Sequence, residues 1–471
     1  MLVQSNIRSF FRSRGRLIAL FAGILIFLAI YFFWKPEGLS EEGRKSIAIF
    51  ALCSIYWVFD VLPLMITGLL AILLFPLLGV LSSQETFSLF GNQAVFFILG
   101  AFILSSGLIR SGLSQRIALL FLKSFGRTPV RLVIATLLIC AFSSFFITEH
   151  AVAAMFFPII AEICASLRLE PGVSRMGKAL FISLAWGCVI GGIATYLGGA
   201  RGPLALAILS QTTGEEVSFL KYSLCALPAV IFGLIFAGFA ILFFFSPEID
   251  SVEPATQLLR EKISERGKIT RKEISIGIFM AVVVLCWIFL GHKVGLAIIA
   301  LAGVVLAFAF GFLEWKQVEE DVNWGVFLLY GGAISLGLAM SKTGAMEWLA
   351  GRALNLIGDH KLLIAILLSA LSLFLTELIS NSAVVALLMP VALGISSRVG
   401  LDPKTIMLLI TIPSGLAFIL PIGTPANAIA FSSGYYKVRD TLRAGFFVNL
   451  TTLAVFLLFA WLTWRWLGVG F

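Results

Sequence analysis

The chain has 471 residues, of which 60% are hydrophobic and only 13% are charged, and its formal net charge is +9. Soluble globular proteins carry about 25% charged residues, so this composition excludes a soluble protein and indicates an integral membrane protein. At ~20 residues per span, the length suffices for about ten membrane-spanning helices.

The first apolar segment, residues 17–34, predicts a retained span and not a cleaved signal peptide. It is longer than a signal peptide needs, has no small-residue cleavage site, and ends in an aromatic run that leads to Pro36. Four arginines precede it: Arg8, Arg12, Arg14 and Arg16.

Further apolar segments predict ten more spans, and two segments interrupted by polar residues predict re-entrant hairpins. The spans are expected near 44–59, 61–80, 94–112, 178–200, 221–246, 274–291, 294–312, 323–341, 404–434 and 441–467. The hairpins are expected near 130–165 and 362–397. The predicted fold is therefore all-α, with about eleven transmembrane helices and two hairpins.

Loop charges predict the orientation of the chain. If the basic N-terminus is cytoplasmic, the loops rich in Lys and Arg all fall on the cytoplasmic side, as the positive-inside rule requires. The first hairpin then opens from the cytoplasm and the second from outside. We expect a multi-pass protein of the cell inner (cytoplasmic) membrane.

Two similar polar motifs indicate an internal repeat. Residues 147–154 read Ile-Thr-Glu-His-Ala-Val-Ala-Ala, and residues 379–386 read Ile-Ser-Asn-Ser-Ala-Val-Val-Ala. Two further pairs of segments match in the same order: 92–100 with 323–331, and 197–200 with 422–425. Paired interrupted segments in the two halves of a membrane protein indicate a transporter's binding site.

The repeat predicts the domain organisation. Residues 1–246 form the first inverted repeat, with scaffold 17–125 and transport elements 130–246. A cytoplasmic linker, 247–273, joins it to the second repeat at 274–471, with scaffold 274–358 and transport elements 362–471.

The hairpin tips are the predicted sites of binding. Two half-helices meet at each tip, where free N–H groups suit an anion and free carbonyl groups suit a cation. A break near 423–427 should add similar groups. A single Ser or Asn more often bonds two packed helices, but a duplicated Ser-Asn motif beside a broken helix favours a binding site.

These motifs resemble the divalent anion/sodium symporter (DASS) family, which moves dicarboxylates, citrate or sulfate. Ser380-Asn381-Ser382 is similar to the family's Ser-Asn-Thr hairpin motif, and residues 420–427 are similar to its Pro-rich motif. The resemblance implies an elevator-type transporter, a homodimer whose scaffold holds two mobile transport domains. It also implies two sodium sites beside one anion site.

The resemblance further implies which residues bind. The second sodium site would use Thr376, Ser380, Asn381 and Gly423. The anion would contact Asn381, Ser382, Thr424 and Pro425. The matching positions of the first sodium site are Ser144, Thr148 and Gly198.

The first repeat departs from the family motif, because charged residues stand where neutral ones are expected. It has Thr148-Glu149-His150 at the tip and Arg201 at the break. The sequence therefore predicts sodium at the second site and leaves sodium at the first site open. An ionised Glu149 costs about 3 kcal/mol in the membrane centre, so it needs a partner, and Arg201 is the expected one.

Two roles for these charges stay open. Arg201, held by Glu149, could be a tethered cation that replaces the first sodium and attracts the anion. Alternatively, Glu149 and His150 could carry protons in a proton-coupled anion symporter. A fixed cation beside Glu149 would keep it ionised, which favours the tether. His150 could also be a donor to the anion or a packed polar residue.

Two other classes of function are alternatives to anion transport. A sodium/proton or arsenite carrier of the same superfamily would need no organic anion. An intramembrane enzyme or receptor is a third class, but the sequence has no protease, hydrolase or ATP-binding motif. We expect no enzyme activity and no nucleic-acid partner. Secondary active transport of a small divalent anion, a dicarboxylate such as succinate, or sulfate, either sodium-coupled or by exchange, is the leading hypothesis.

Overall fold

The computed structural model describes residues 2–470, with side chains from Gly15 onward. The side chains of Arg8, Arg12 and Arg14, which contribute to the predicted cytoplasmic N-terminus, lie outside the described residues. Within residues 2–470 every regular element is a helix and there is no strand. The prediction of an all-α fold is confirmed.

The first half of the chain contains eleven α-helices. They are α1 (Leu2–Leu28), α2 (Glu41–Val58), α3 (Leu64–Leu77), α4 (Ser83–Ser88), α5 (Gln93–Arg110), α6 (Leu113–Phe125), α7 (Pro129–Ser144), α8 (Glu149–Ser166), α9 (Arg175–Gly192), α10 (Arg201–Thr213) and α11 (Phe219–Phe244).

The linker and the second half contain the remaining α-helices. They are α12 (Glu253–Glu265), α13 (Arg271–Val294), α14 (Leu296–Ala309), α15 (Trp315–Asp321), α16 (Trp324–Lys342), α17 (Ala345–Ile357), α18 (Lys361–Leu378), α19 (Asn381–Val399), α20 (Pro403–Thr411), α21 (Pro425–Phe431) and α22 (Val438–Thr463). The order of α5–α11 and α16–α22 is the same, as a duplication requires.

Nine helices among the described residues are long and apolar enough to cross a membrane. They include α8, α18 and α19, which are arms of the predicted hairpins, so nine is not a count of crossings. Two predicted spans, 61–80 and 294–312, contain helices of only 14 residues. The count of eleven crossings stays a prediction.

One predicted span differs from the structure. Residues 404–434 do not form one helix with a break at 423–427, because α20 already ends at Thr411. A 3-10 turn follows at Pro413–Gly415, and an irregular segment continues to Thr424. Pro413 has no N–H for a helical hydrogen bond and disfavours helix at the preceding residue, which explains the earlier break.

The two repeats pack through exchanged helices. Helix α3 contacts α16 of the other half, and α14 contacts α5. Glycines allow this close approach, since a Cβ added at Gly100 would lie 2.7 Å from Ala300 Cβ, and one added at Gly68 would lie 3.0 Å from the Leu328 carbonyl oxygen.

The linker contains a short amphipathic helix, α12. Leu259 of α12 is buried, and α12 contacts both α6 and α8. Lys262 Nζ lies 2.5 Å from Glu162 Oε2 at the end of the first hairpin. The linker therefore contacts an arm of that hairpin.

Arg110, at the end of α5, forms an ion-pair cluster with α15. Its Nη2 lies 2.7 Å from Asp321 Oδ1 and 2.9 Å from Glu320 Oε2. Ser106 Oγ also donates to Asp321 Oδ2 at 2.5 Å. This guanidinium beside Asp321 holds the pKa of that carboxyl below its ordinary value.

Candidate functional site

Both predicted hairpins are present, and their tips lie at the predicted residues. Helix α7 ends at Ser144, and α8 begins at Glu149 after Thr148 as N-cap. Helix α18 ends at Leu378 and α19 begins at Asn381. Ser380 caps α19, because its hydroxyl accepts from the backbone N–H of Ala383 at 3.3 Å.

Each hairpin tip lies against an interrupted helix. The backbone N–H of Glu149 donates to the carbonyl of Gly198 at 3.0 Å, which joins the first tip to the segment between α9 and α10. In the second repeat, Thr424 caps α21 by accepting from the N–H of Asn427 at 3.2 Å. A Cβ added at Gly423 would lie 2.9 Å from the Thr376 carbonyl oxygen, so this glycine lets the break approach the hairpin.

Glu149 and Arg201 form a buried ion pair. Arg201 Nη1 lies 3.3 Å from Glu149 Oε2, and the two side chains are only 2% and 6% exposed, respectively. The expected partnership of the two charges is therefore present. Breaking such a pair would leave an uncompensated buried charge, which is strongly destabilising.

Arg201 has more donors than its partners use. Its Nε and Nη2 atoms are buried and have no hydrogen-bond partner among the described residues. They face Gly415, where an added Cβ would lie 2.5 Å from Nε and 2.6 Å from Nη2. This pair of nitrogens is the geometry with which a guanidinium binds two oxygens of a carboxylate or sulfate.

The Asn381 amide connects the second tip to this ion pair. Thr376 Oγ1 lies 2.7 Å from both the amide and the Ser414 carbonyl oxygen. Since its single hydroxyl hydrogen goes to the carbonyl, it accepts from the amide nitrogen. The amide oxygen then accepts from Arg201 Nη1 at 3.0 Å, while the nitrogen also lies 3.3 Å from the Gly423 carbonyl oxygen.

The remaining predicted residues are at the tips and the breaks. His150 is half-buried, and its Nε2 lies 3.4 Å from Thr148 Oγ1 of the same tip. Ser144 Oγ is buried and has no partner among the described residues. Ser382 is half-buried, and Pro425 is exposed. The structure thus brings together Glu149, Arg201, Asn381, Thr376 and Gly423, whereas His150 makes no hydrogen bond to Arg201 in the described part.

Sequence reasoning missed the role of Glu377. Its carboxylate is 4% exposed and accepts from three consecutive backbone N–H groups, those of Phe418, Ile419 and Leu420, at 2.8–3.2 Å. Asn449 Nδ2 of α22 also donates to it at 2.8 Å. An acid in the last turn of a helix is unfavourable for the helix dipole, and this was the available signal that Glu377 has another role.

Paired hairpins whose tips meet at broken helices, within a membrane protein built of two repeats, define a secondary transporter. The model of the sodium:sulfate symporter transmembrane region matches residues 14–469, and the chain belongs to this family. The resemblance found in the sequence is confirmed, and the chain is a membrane transporter of small anions and not an enzyme.

Curated relatives match over nearly the whole chain. A sodium-dependent dicarboxylate transporter, SdcS, of Staphylococcus saprophyticus is 29% identical and covers 94% of this chain and 90% of its own. SdcS of Staphylococcus aureus is 28% identical and covers 95% and 91%.

Solved structures share the fold at low sequence identity. MtrF of Neisseria gonorrhoeae, described with a class of antimetabolite efflux pumps, has a TM-score of 0.56 at 14% identity and covers 95% of this chain and 94% of its own. The YdaH transporter of Alcanivorax borkumensis has a TM-score of 0.51 at 14% identity and covers 82% and 90%. At this identity the likeness concerns the fold alone.

Proposed function

We propose that this protein is a sodium-coupled symporter of small dicarboxylates. The observation that carries the proposal is the meeting of the two hairpin tips at Glu149, Arg201 and Asn381. This meeting places hydrogen-bond donors for an anion and oxygen ligands for a cation in one buried cluster. The two SdcS relatives, both named as sodium-dependent dicarboxylate transporters, support a dicarboxylate over sulfate.

The co-transported sodium binds at the second repeat. Thr376, Ser380 and Asn381 supply side-chain oxygens there, and Gly423 supplies a backbone carbonyl. Neutral oxygen ligands suit a hard monovalent cation. When sodium is present, the Asn381 amide would turn its oxygen to the cation. Thr376 would still donate to the Ser414 carbonyl in that orientation.

The anion binds between the two tips. Asn381, Ser382 and Thr424 contribute donors from the second repeat, and Pro425 contributes to the wall of the site. Arg201 contributes its Nε and Nη2 pair from the first repeat, and Glu149 keeps the guanidinium in place. His150 lines the first tip as a further donor.

Arg201 takes the place of the first sodium. Ser144, Thr148 and Gly198 are the positions at which a first sodium would bind, but the neighbouring tip and break already hold an acid and a base. Each cycle then moves fewer sodium ions than a transporter with two intact sites. The alternative is that Glu149 and His150 carry protons across.

The larger assembly follows the family resemblance. We propose a homodimer in the inner membrane, with a cytoplasmic N-terminus. Scaffold helices near 17–112 and 274–341 form the interface, and the hairpins and interrupted helices move as an elevator. An active monomer in nanodiscs would contradict this assembly.

Uptake by proteoliposomes tests the function. Labelled succinate should enter when sodium is outside and should not enter when choline replaces it, while excess unlabelled succinate should compete better than sulfate or citrate. Sulfate as the best competitor would make it the substrate. Uptake driven by a pH gradient without sodium would favour the proton-coupled alternative. No uptake of any of these anions under either gradient would contradict the proposal.

A further inference from the structure

We infer that Glu377 is a positioning residue for sodium at the second repeat: it fixes the interrupted segment 416–424 to the hairpin and supplies the negative charge beside the cation. The inference rests on the proposed function. Glu377 precedes the tip by only a few residues, and Thr376, its neighbour, is one of the proposed sodium ligands.

The hydrogen bonds of Glu377 suit the ionised form of its side chain. Oε1 accepts from the N–H of Phe418 at 2.9 Å and from Asn449 Nδ2 at 2.8 Å, and Oε2 accepts from the N–H of Leu420 at 2.8 Å. Both oxygens accept from N–H donors, which suits a carboxylate. No lysine, arginine or histidine among the described side chains pairs with it.

The same bonds hold the interrupted segment. Residues 418–420 belong to no helix, so their N–H groups need partners outside the regular backbone pattern. Glu377 supplies those partners at the end of α18. A Cβ added at Gly423 would lie 3.4 Å from Glu377 Cα, so the segment passes close to the end of α18 at Gly423, three residues after the N–H groups that the carboxylate holds. Hairpin and segment are thereby joined at the proposed sodium site.

The first repeat makes the corresponding link without charge. Phe145 stands where the second repeat has Glu377, and its carbonyl accepts from Thr195 Oγ1 at 2.7 Å. Thr195 in turn corresponds to Leu420, by the match of residues 197–200 with 422–425. The first tip and break contain a neutralised pair, Glu149 and Arg201, whereas the second contains an unpaired negative charge. A cation is therefore favoured at the second repeat.

Sodium-dependent thermal stabilisation tests the inference without any anion. Purified protein is titrated with NaCl at constant ionic strength against choline chloride, and the half-saturating sodium concentration is read from the melting temperature. Glu377→Gln, which removes the charge at nearly constant shape, should raise that concentration about tenfold or more. Glu377→Asp, which keeps the charge, should raise it less.

Two further variants separate positioning from general damage. Asn449→Ala leaves the carboxylate and its backbone donors, so it should raise the sodium requirement about threefold. Thr195→Val breaks the neutral link of the first repeat and should leave the sodium requirement within about twofold of the original protein. For variants that transport, the KM for succinate at saturating sodium should change much less than the sodium requirement.

The outcomes are distinct. An unchanged sodium requirement in Glu377→Gln overturns the inference, as does an equal rise in Thr195→Val. If Glu377→Gln does not fold, an unchanged requirement in Asn449→Ala overturns it. If the original protein shows neither sodium stabilisation nor sodium-driven uptake, the proposed function fails as well. Sodium stabilisation without succinate uptake would leave the role of Glu377 intact and change only the substrate.

Discussion

Glu149 and Asn381 occupy equivalent positions of the two repeats, and a Glu149 carboxylate oxygen lies 3.4 Å from the Asn381 amide. Each residue begins the returning arm of its own hairpin. The tips of the two hairpins therefore meet at one point. A single anion that contacts both tips is the simplest use of this geometry, and the charge difference between Glu149 and Asn381 gives the two halves different roles.

Asn381→Ala should abolish sodium-driven succinate uptake without loss of folded protein. The amide contacts Arg201, Thr376 and the Gly423 carbonyl, so its removal affects the proposed anion site and the proposed sodium site together. Uptake in proteoliposomes measures the effect, and size-exclusion chromatography measures folding. Asn355→Ala is the matched control, because Asn355 is exposed on α17. Near-normal uptake by Asn381→Ala would place the site elsewhere.

Arg201→Ala should raise the KM for succinate by about thirtyfold, because a charge-assisted bidentate contact contributes about 2 kcal/mol. Arg201→Lys should recover only part of this loss, since an ammonium group cannot present two parallel donors. Because Arg201→Ala leaves Glu149 buried and unpaired, the double variant Glu149→Gln/Arg201→Ala controls for folding. A double variant with the original KM would assign both charges to packing.

Glu149→Gln separates the tether from the proton carrier. If Glu149 only holds Arg201, the variant should still take up succinate with sodium, at a raised KM, and with little change in its dependence on external pH. If Glu149 carries a proton, uptake should become independent of a pH gradient while exchange of internal for external succinate continues. Succinate uptake is measured under a sodium gradient and under a pH gradient, and succinate exchange is measured without a gradient. Together these measurements distinguish the two roles of Glu149.

The hairpins were predictable because local rules define them. A polar residue at the N-cap position, placed in the middle of an apolar segment, marks each tip, and the predicted bounds 130–165 and 362–397 lie within two residues of the helices. The pairing of Glu149 with Arg201 was predictable because a buried charge needs an opposite one. The bonds of Glu377 were not, because its partners are backbone N–H groups, whose positions depend on the path of residues 416–424 and not on side-chain identity.

Gly415→Ala should reduce succinate uptake at least tenfold. An added Cβ would lie 2.6 Å from Arg201 Nη2 and would also collide with Ile193, so the guanidinium has to move away from Glu149 and Asn381. Gly91→Ala is the matched control, since nothing lies within 4 Å of the Cβ it would add. Equal uptake by both variants would show that the position of Arg201 does not matter for transport.

Asp321→Asn should lower stability at neutral pH and not at acidic pH. The Arg110 guanidinium, with help from Ser106, lowers the pKa of Asp321 below its ordinary value of 3.8. A lowered pKa in the folded state means that the carboxylate contributes stability above the ordinary value, and that this contribution disappears as the pH falls through the lowered one. Since both side chains are partly exposed, we expect a loss of about 1 kcal/mol at pH 7.

The measurement for Asp321→Asn is the melting temperature of the purified protein in detergent from pH 7 to about pH 3, always as the difference from the original protein. That difference should be largest at pH 7 and should shrink below about pH 4, because the original protein then loses the same charge. Glu314→Gln removes an exposed acid at the other end of the same helix, α15, where its side chain makes no capping bond, and it should give a difference near zero throughout. A constant difference for Asp321→Asn at every pH would show that the shape of the side chain, and not its charge, holds α15 to α5.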